Sequence, residues 1–169
     1  PQSFDPERNA EKALTMRAYA GLASSYSGFY VNFYVLGAPP AWPARPLDVR
    51  FGDRIRLLGY DLQVEATPSG GMVRVPLYWR AEAPLTADYT VFLHLRDSEG
   101  KTVAQLDSQP VGATRATTSW QPDEMIVDAR VLLLPRELAP GAYNVYVGLY
   151  TWQDMARLLL TRGGEGNEF

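Results

Sequence analysis

From Leu47 onward the chain keeps a side-chain period of two, most plainly in MVRVPLYWRAEA, residues 72–83. Val73, Val75, Leu77, Trp79 and Ala81 face one way; Met72, Arg74, Tyr78, Arg80 and Glu82 face the other. Successive side chains of a strand point to opposite faces, whereas a helix would scatter these residues around its axis. The segment therefore predicts a strand with one buried and one solvated side. Pro76 has no amide donor, which places it at an edge or a bulge.

The same period recurs downstream. VRFGDRIRLLGYDLQVEA (49–66) breaks at Gly52-Asp53 and then predicts a long strand from Ile55. TPSGG (67–71) is a turn. In DYTVFLHLRDSEG (88–100), Tyr89, Val91, Leu93 and Leu95 form one face, and Thr90, Phe92, His94 and Arg96 the other. DSEG is a hairpin turn leading into KTVAQLDS. The stretch 109–122 is irregular, and EMIVDARVLLL (124–134), GAYNVYVGLYT (141–151) and ARLLLT (156–161) give three more strands. Many short strands with no helical pattern between them predict a mainly β fold: an antiparallel two-sheet β-sandwich, immunoglobulin-like or jelly-roll-like. Trp79, Val91, Leu93, Val145, Val147 and Leu149 are expected between the sheets.

Residues 1–46 have another texture. Asp5-Pro6 is an N-cap followed by proline, and Ala10, Leu14, Ala18 and Leu22 recur every four residues, predicting a short helix over about 6–20. GFYVNFYVL (28–36) reads as a strand apolar on both faces. GAPPAWPARP (37–46) is a stiff proline-rich linker, with Trp42 expected to pin it to the domain. The expected organisation is thus an N-terminal region (1–46), a sandwich domain (47–162) and a flexible tail (163–169). A chain that starts at Pro1 is expected to be a processed or excised piece of something longer.

Composition removes several functions. The net charge of −3 argues against a nucleic-acid binder, which would show a basic face. With no cysteine, disulfides, thiolate metal sites and a cysteine nucleophile are excluded. No run of 18 apolar residues is present to span a bilayer as a helix. His94 is the only histidine. A metal site would want a second ligand and a hydrolase a nucleophile beside it, so His94 is read as a strand residue. Asp97 and Glu99 share a turn, and Asp107, Asp123, Glu124 and Asp128 follow without a D-x-[DN]-x-[DN]-G calcium pattern, so the turn acids are expected to serve the turn itself. GGEG (163–166) lacks the lysine and the strand–loop–helix setting of a phosphate loop. No catalytic set, metal or cofactor is expected.

Aromatic residues are the one excess with functional promise. Trp120 stands in the loop TTSWQPDE, Trp152 in YTWQDM, and Tyr146 and Tyr150 lie opposite the core face of their strand. Aromatic planes at loop tips stack on the apolar C–H faces of sugars; the other reading is that Trp120 and Trp152 close the open ends of the sandwich. Trp120, Tyr150, Trp152 and Tyr146 are the candidate ligand-binding residues.

The segments VRFGDRIRLLGYDL (49–62), VPLYWRAEAPLTADYTVFLHLRDSEG (75–100), SWQPDEMIVDARVLLLPRELAPGAYNVYVGLY (119–150) and ARLLL (156–160) together resemble the C-terminal extracytoplasmic β-sandwich of some bacterial multi-spanning, lipid-linked-sugar-dependent glycosyltransferases, which look like protein mannosyltransferases. The likeness spans about residues 47–162, and His94 falls within one of its motifs. It implies a non-catalytic extracytoplasmic accessory module, attached to the membrane-embedded portion of its parent and close to glycans. The alternative is an immunoglobulin-like protein-interaction or scaffold module of the cell envelope.

Overall fold

The computed structural model describes residues 18–26, 29–36, 42–67 and 70–162. The predicted helix falls mostly outside these residues. Its last positions, Ala18–Ala20, belong instead to a strand, β1 (Ala18–Tyr26), which pairs antiparallel with β2 (Phe29–Leu36). Cross-strand pairing overrides the helical spacing there, as tertiary context commonly does. The expected tail at 163–169 also lies outside the described residues.

The domain is the expected antiparallel β-sandwich. Nine further strands build it: β3 (Arg45–Phe51), β4 (Ile55–Tyr60), β5 (Gln63–Thr67), β6 (Gly70–Ala81), β7 (Tyr89–Arg96), β8 (Thr102–Ser108), β9 (Met125–Leu134), β10 (Asn144–Thr151) and β11 (Leu160–Arg162). The smaller sheet runs β10-β7-β8. The larger runs β11-β3-β4-β6-β9, with β5 sharing the place of β4, because both pair with the same side of β6 while β9 takes the other. After β6 the chain crosses to the small sheet, returns for β9, crosses again for β10 and comes back for β11. The hairpin β1–β2 forms a sheet of its own, with β1 lying beside β9 and the segment Pro110–Ala113.

The inward phase of each strand supplies the core. Trp79 is fully buried, 5.7 Å from the ring of Phe51, and Val91, Leu93, Val147 and Leu149 are buried with it, while Val145 is half-buried. Each large side chain taken from water contributes roughly 1.5–3 kcal/mol.

Several expectations need correction. The long strand from Ile55 divides at Asp61-Leu62 into β4 and β5. Pro76 lies in the middle of the sheet, paired with Ala129 of β9 on one side. Its carbonyl accepts from the Asp61 amide on the other side, at 3.0 Å. The N–H and C=O of one strand residue point the same way, so the missing donor of Pro76 faces the gap between β4 and β5, where no ladder acceptor is lost.

The outer side of β6 is only partly solvated. Tyr78 is fully buried with Leu58, Val127 and Ala129 in a second apolar cluster, and its hydroxyl donates to Asp61 Oδ2 at 2.7 Å. The charges gather at one end of this face. Arg50, Arg56 and Arg80 stand in register across β3, β4 and β6. Like charges so placed repel; Asp48 at 2.7 Å from Arg56 and Glu82 at 2.8 Å from Arg50 offset that repulsion.

The linker also behaves differently. Its last residues, Arg45 and Pro46, join β3. Trp42 is 54% exposed, so the expected anchor is not buried against the domain. Pro43 is buried in its place: a Cβ at Gly59 would fall 2.6 Å from the Pro43 ring and 2.4 Å from the Arg45 carbonyl, so only glycine lets the linker close onto β4. The Ala44 amide, donating to Asp61 Oδ1 at 2.6 Å, fixes this approach. Finally, the predicted strand 156–161 shrinks to β11, preceded by a single bridge between Tyr150 and Arg157.

Candidate functional site

The four aromatic candidates separate in space. Trp120 is 2% exposed and belongs to the core. The short 3-10 turn Thr117–Ser119 docks on the start of β7, with Thr117 Oγ1 donating to the Ala87 carbonyl and accepting from the Tyr89 amide, both at 2.9 Å. That docking drives Trp120 between the sheets, where its indole N–H donates to the Arg115 carbonyl at 3.3 Å. Arg115 then grips Glu124 through two 2.9 Å bonds, and the Gln121 amide donates to the same carboxylate. Partial burial pushes the Glu124 pKa up, but the Arg115 hydrogen bonds, the Gln121 amide and the Arg115 charge outweigh it and hold the carboxyl below its usual range. Trp120 is therefore a plug. Of the two readings open for it in the sequence, closure of a sandwich end is the one this geometry fits.

Tyr146, Tyr150 and Trp152 share the outer face of the small sheet. Tyr146 lies opposite His94 and Tyr150 opposite Thr90 in the β10–β7 register. Tyr146 is capped by the Arg96 guanidinium, 4.3 Å above its ring, and stands roughly 20 Å along the strand from Trp152. Tyr150 is buried, 6.4 Å from Phe92 and 6.3 Å from Trp152. Arg157 covers Phe92 at 4.7 Å. Trp152, 69% exposed, is the one candidate whose ring is offered to solvent. Its turn is held by Asp154, which accepts from the Thr151 hydroxyl and, at 3.0 Å, from the Ala156 amide. Those two bonds keep the Asp154 carboxyl below its usual pKa.

His94 has a defined task. Its Nε2 lies 3.0 Å from Asp107 Oδ1, and its ring is 4.9 Å from that of Phe92. The Tyr150 hydroxyl also bonds to Asp107; burial first, then the Asp107 charge and hydrogen bond, raise the Tyr150 pKa, against smaller lowering effects of Thr90 and Arg157. Among the described residues the side-chain hydrogen bond of His94 is this one to Asp107, with no hydroxyl nucleophile attached. Asp97 is likewise a turn residue: its Oδ1 accepts from the Glu99 and Lys101 amides at 3.0 and 2.9 Å. Among the described residues no group of three His, Asp or Glu side chains is placed to hold a metal ion.

Beside Trp152 the surface sinks into an open concavity of about 440 Å³, lined by Asp88, Thr90, Asp107, Gln109, Trp152 and Gln153. One aromatic plane thus borders carboxylates, amides and a hydroxyl. Ala113 adds to its lining from the turn Pro110–Ala113, in which Val111, Gly112 and Ala113 all have positive φ, at 53°, 60° and 63°. A β-branched residue in that region is strained, and such strain persists only where surrounding contacts impose it. Here the contact is buried: the Val111 amide donates to Asp128 Oδ1 at 2.7 Å.

Asp128 in turn receives Arg130 Nε at 2.7 Å, and the same guanidinium donates to the Val91 and Ser108 carbonyls at 3.0 Å each. Both side chains are nearly inaccessible, at 1% and 2%. They lie on the inward phase of β9, between Ile126 and Leu132, and tie that strand to β7, β8 and the strained turn. Sequence reading took Asp128 for one of several scattered acids and passed over Arg130. The signal was present in MIVDARVLLL, where opposite charges two apart occupy the apolar phase of a strand.

No helix among the described residues is long and apolar enough to cross a membrane. A scan against protein-family models matches none, and no curated protein matches the chain.

Proposed function

We propose that this chain is a non-catalytic glycan-binding accessory module, held outside the cytoplasm by the membrane portion of a parent glycosyltransferase. The observation that carries the binding half is the concavity beside Trp152: one exposed indole plane, supported by Tyr150, next to hydrogen-bonding groups from Asp88, Asp107, Gln109 and Gln153. A sugar ring presents an apolar C–H face and a rim of hydroxyls, and such a wall answers both. Trp152 is the stacking surface. Tyr150 supports it from beneath. Trp120 and Tyr146 play no part in contact. The parent and the location rest on the sequence resemblance alone.

Titration of the chain with neutral oligosaccharides at millimolar concentration, followed by two-dimensional NMR, tests the reading. Saturable shifts at the Trp152 indole and the Gln109 and Gln153 amides are expected, and Trp152→Ala should abolish them without altering the remaining spectrum. Absence of shifts across a diverse glycan panel, or shifts indifferent to Trp152→Ala, rejects glycan binding.

A second reading, a protein-interaction module of the envelope, draws on β8. Among the described residues it pairs only with β7, and Thr102, Gln105 and Asp107 along it are exposed. An edge of this kind is where a partner strand adds.

A further inference from the structure

At the end of the sandwich opposite Trp152, the described residues leave the space between the sheets open. A cleft of about 550 Å³ enters between them, with Val73 and Leu134 on the large sheet, Leu95 and Val145 on the small one, and the loop 135–143 above. A neighbouring hollow of about 300 Å³ shares Leu62, Tyr143 and Val145 with it and continues toward Tyr60. Ligand sites for small molecules have this size and this mostly apolar lining, with few polar groups at the mouth.

The mouth has a sign. Arg136 is the one charged residue among those lining the cleft, and among the described residues its guanidinium has no ion pair. At the far hollow, Arg45 lies 5.5 Å over the Tyr60 ring. Of the acids nearby, Asp61 accepts from Ala44 and Tyr78 and Glu65 lies 3.6 Å from Arg74, while Glu137, next to Arg136 in the loop, is exposed and outside the cleft lining. The loop overhead is held in shape by the Tyr143 hydroxyl, which donates to the Ala139 carbonyl at 2.6 Å.

We infer that the cleft binds the single hydrocarbon chain of an anionic amphiphile, with the chain between the sheets and the acidic head at Arg136. The apolar walls drive entry by removing the chain from water. A cationic rim selects a negative head over a neutral or positive one. The site is separate from the concavity at Trp152, and its occupant needs no sugar.

Dodecanoate below its micelle concentration is the probe, and dodecyltrimethylammonium is the control of equal chain length. NMR titration of the whole chain should give saturable methyl shifts for Val73, Leu95, Leu134 and Val145 with dodecanoate. The cationic control should bind roughly fivefold more weakly, the size expected of one partly exposed ion pair. Arg136→Glu, an exposed change that leaves the fold intact, should reverse that order. Val145→Trp, which fills the cleft, should remove binding of both, whereas Trp152→Ala should change neither. Equal binding of the two probes with no response to Arg136→Glu overturns the head-group assignment. Absence of saturable shifts, or shifts spread over the surface and untouched by Val145→Trp, overturns the site.

Discussion

Where β6 finishes and β7 begins, Trp120 fills the space between the sheets, and Arg115 and Glu124 latch its loop. Where β9 finishes and β10 begins, the loop 135–143 spans the same gap with Pro135, Leu138 and Pro140 half-buried or exposed, and a cleft remains beneath it. Both ends belong to one pair of sheets with the same inward alternation. Alternation therefore builds the middle of a sandwich and leaves its ends undetermined. An end is sealed by a loop that carries a bulky apolar side chain and the hydrogen bonds to aim it inward.

The sharpest way to break this contrast is to remove the plug. Trp120→Ala should cost about 3–5 kcal/mol in urea unfolding, and Leu138→Ala at the open end roughly 1 kcal/mol or less. Similar costs at the two ends would mean that Trp120 is not what distinguishes them. Next comes the buried tie along the flank. Asp128→Ala leaves Arg130 charged and without its carboxylate in the interior and should cost about 3–5 kcal/mol, while the double change Asp128→Leu with Arg130→Met should recover only part of that loss, because the Val111 amide stays unpaired. A single mutant as stable as the parent would show that the pair does not hold the Val111 turn.

The pH response sharpens the comparison further. Glu124 has a lowered pKa in the folded chain, so its contribution to stability is present above about pH 4.5 and is lost as pH falls through the folded value. Glu124→Gln should flatten the acid side of the stability profile, with loss of Trp120 fluorescence protection as the local readout. Tyr150 behaves in the opposite sense: its pKa is raised, so stability falls as pH climbs above 10 through the folded value, and Tyr150→Phe should remove one late-ionising phenolate from the absorbance titration. The smallest effect on folding is expected for Trp152→Ala, within about 0.5 kcal/mol because the ring is exposed, although the same change should abolish glycan binding.

Much of the middle was legible in the sequence. The two-residue period placed Val73, Val75, Leu77 and Trp79 inward, the glycine-ended turn after Asp97 joined β7 to β8, and Tyr146 and Tyr150 fell on the face opposite Leu149. Periodicity reports which way a residue points and is silent about what it meets. Tyr78 points outward and is nevertheless buried. Asp128 and Arg130 point inward and satisfy each other there. The concavity beside Trp152 joins residues from β7, β8, the turn after β8 and the turn after β10, and the apolar cleft depends on how far two sheets stand apart at one end; neither distance is encoded in any local pattern. The helical spacing of residues 10–22 misled at Ala18–Ala20 for a related reason, since pairing with β2 decides the conformation there.

Pro76 carries a consequence for folding fidelity. Sliding β6 along its neighbours by two residues would keep every apolar side chain on its proper face, so hydrophobic patterning gives no protection against that error. In the native alignment the imide ring sits opposite the one interruption in the adjacent chain. A displaced alignment would bring it against continuous backbone and strand a carbonyl, so the proline acts as an index mark by which the central ribbon recognises its correct setting.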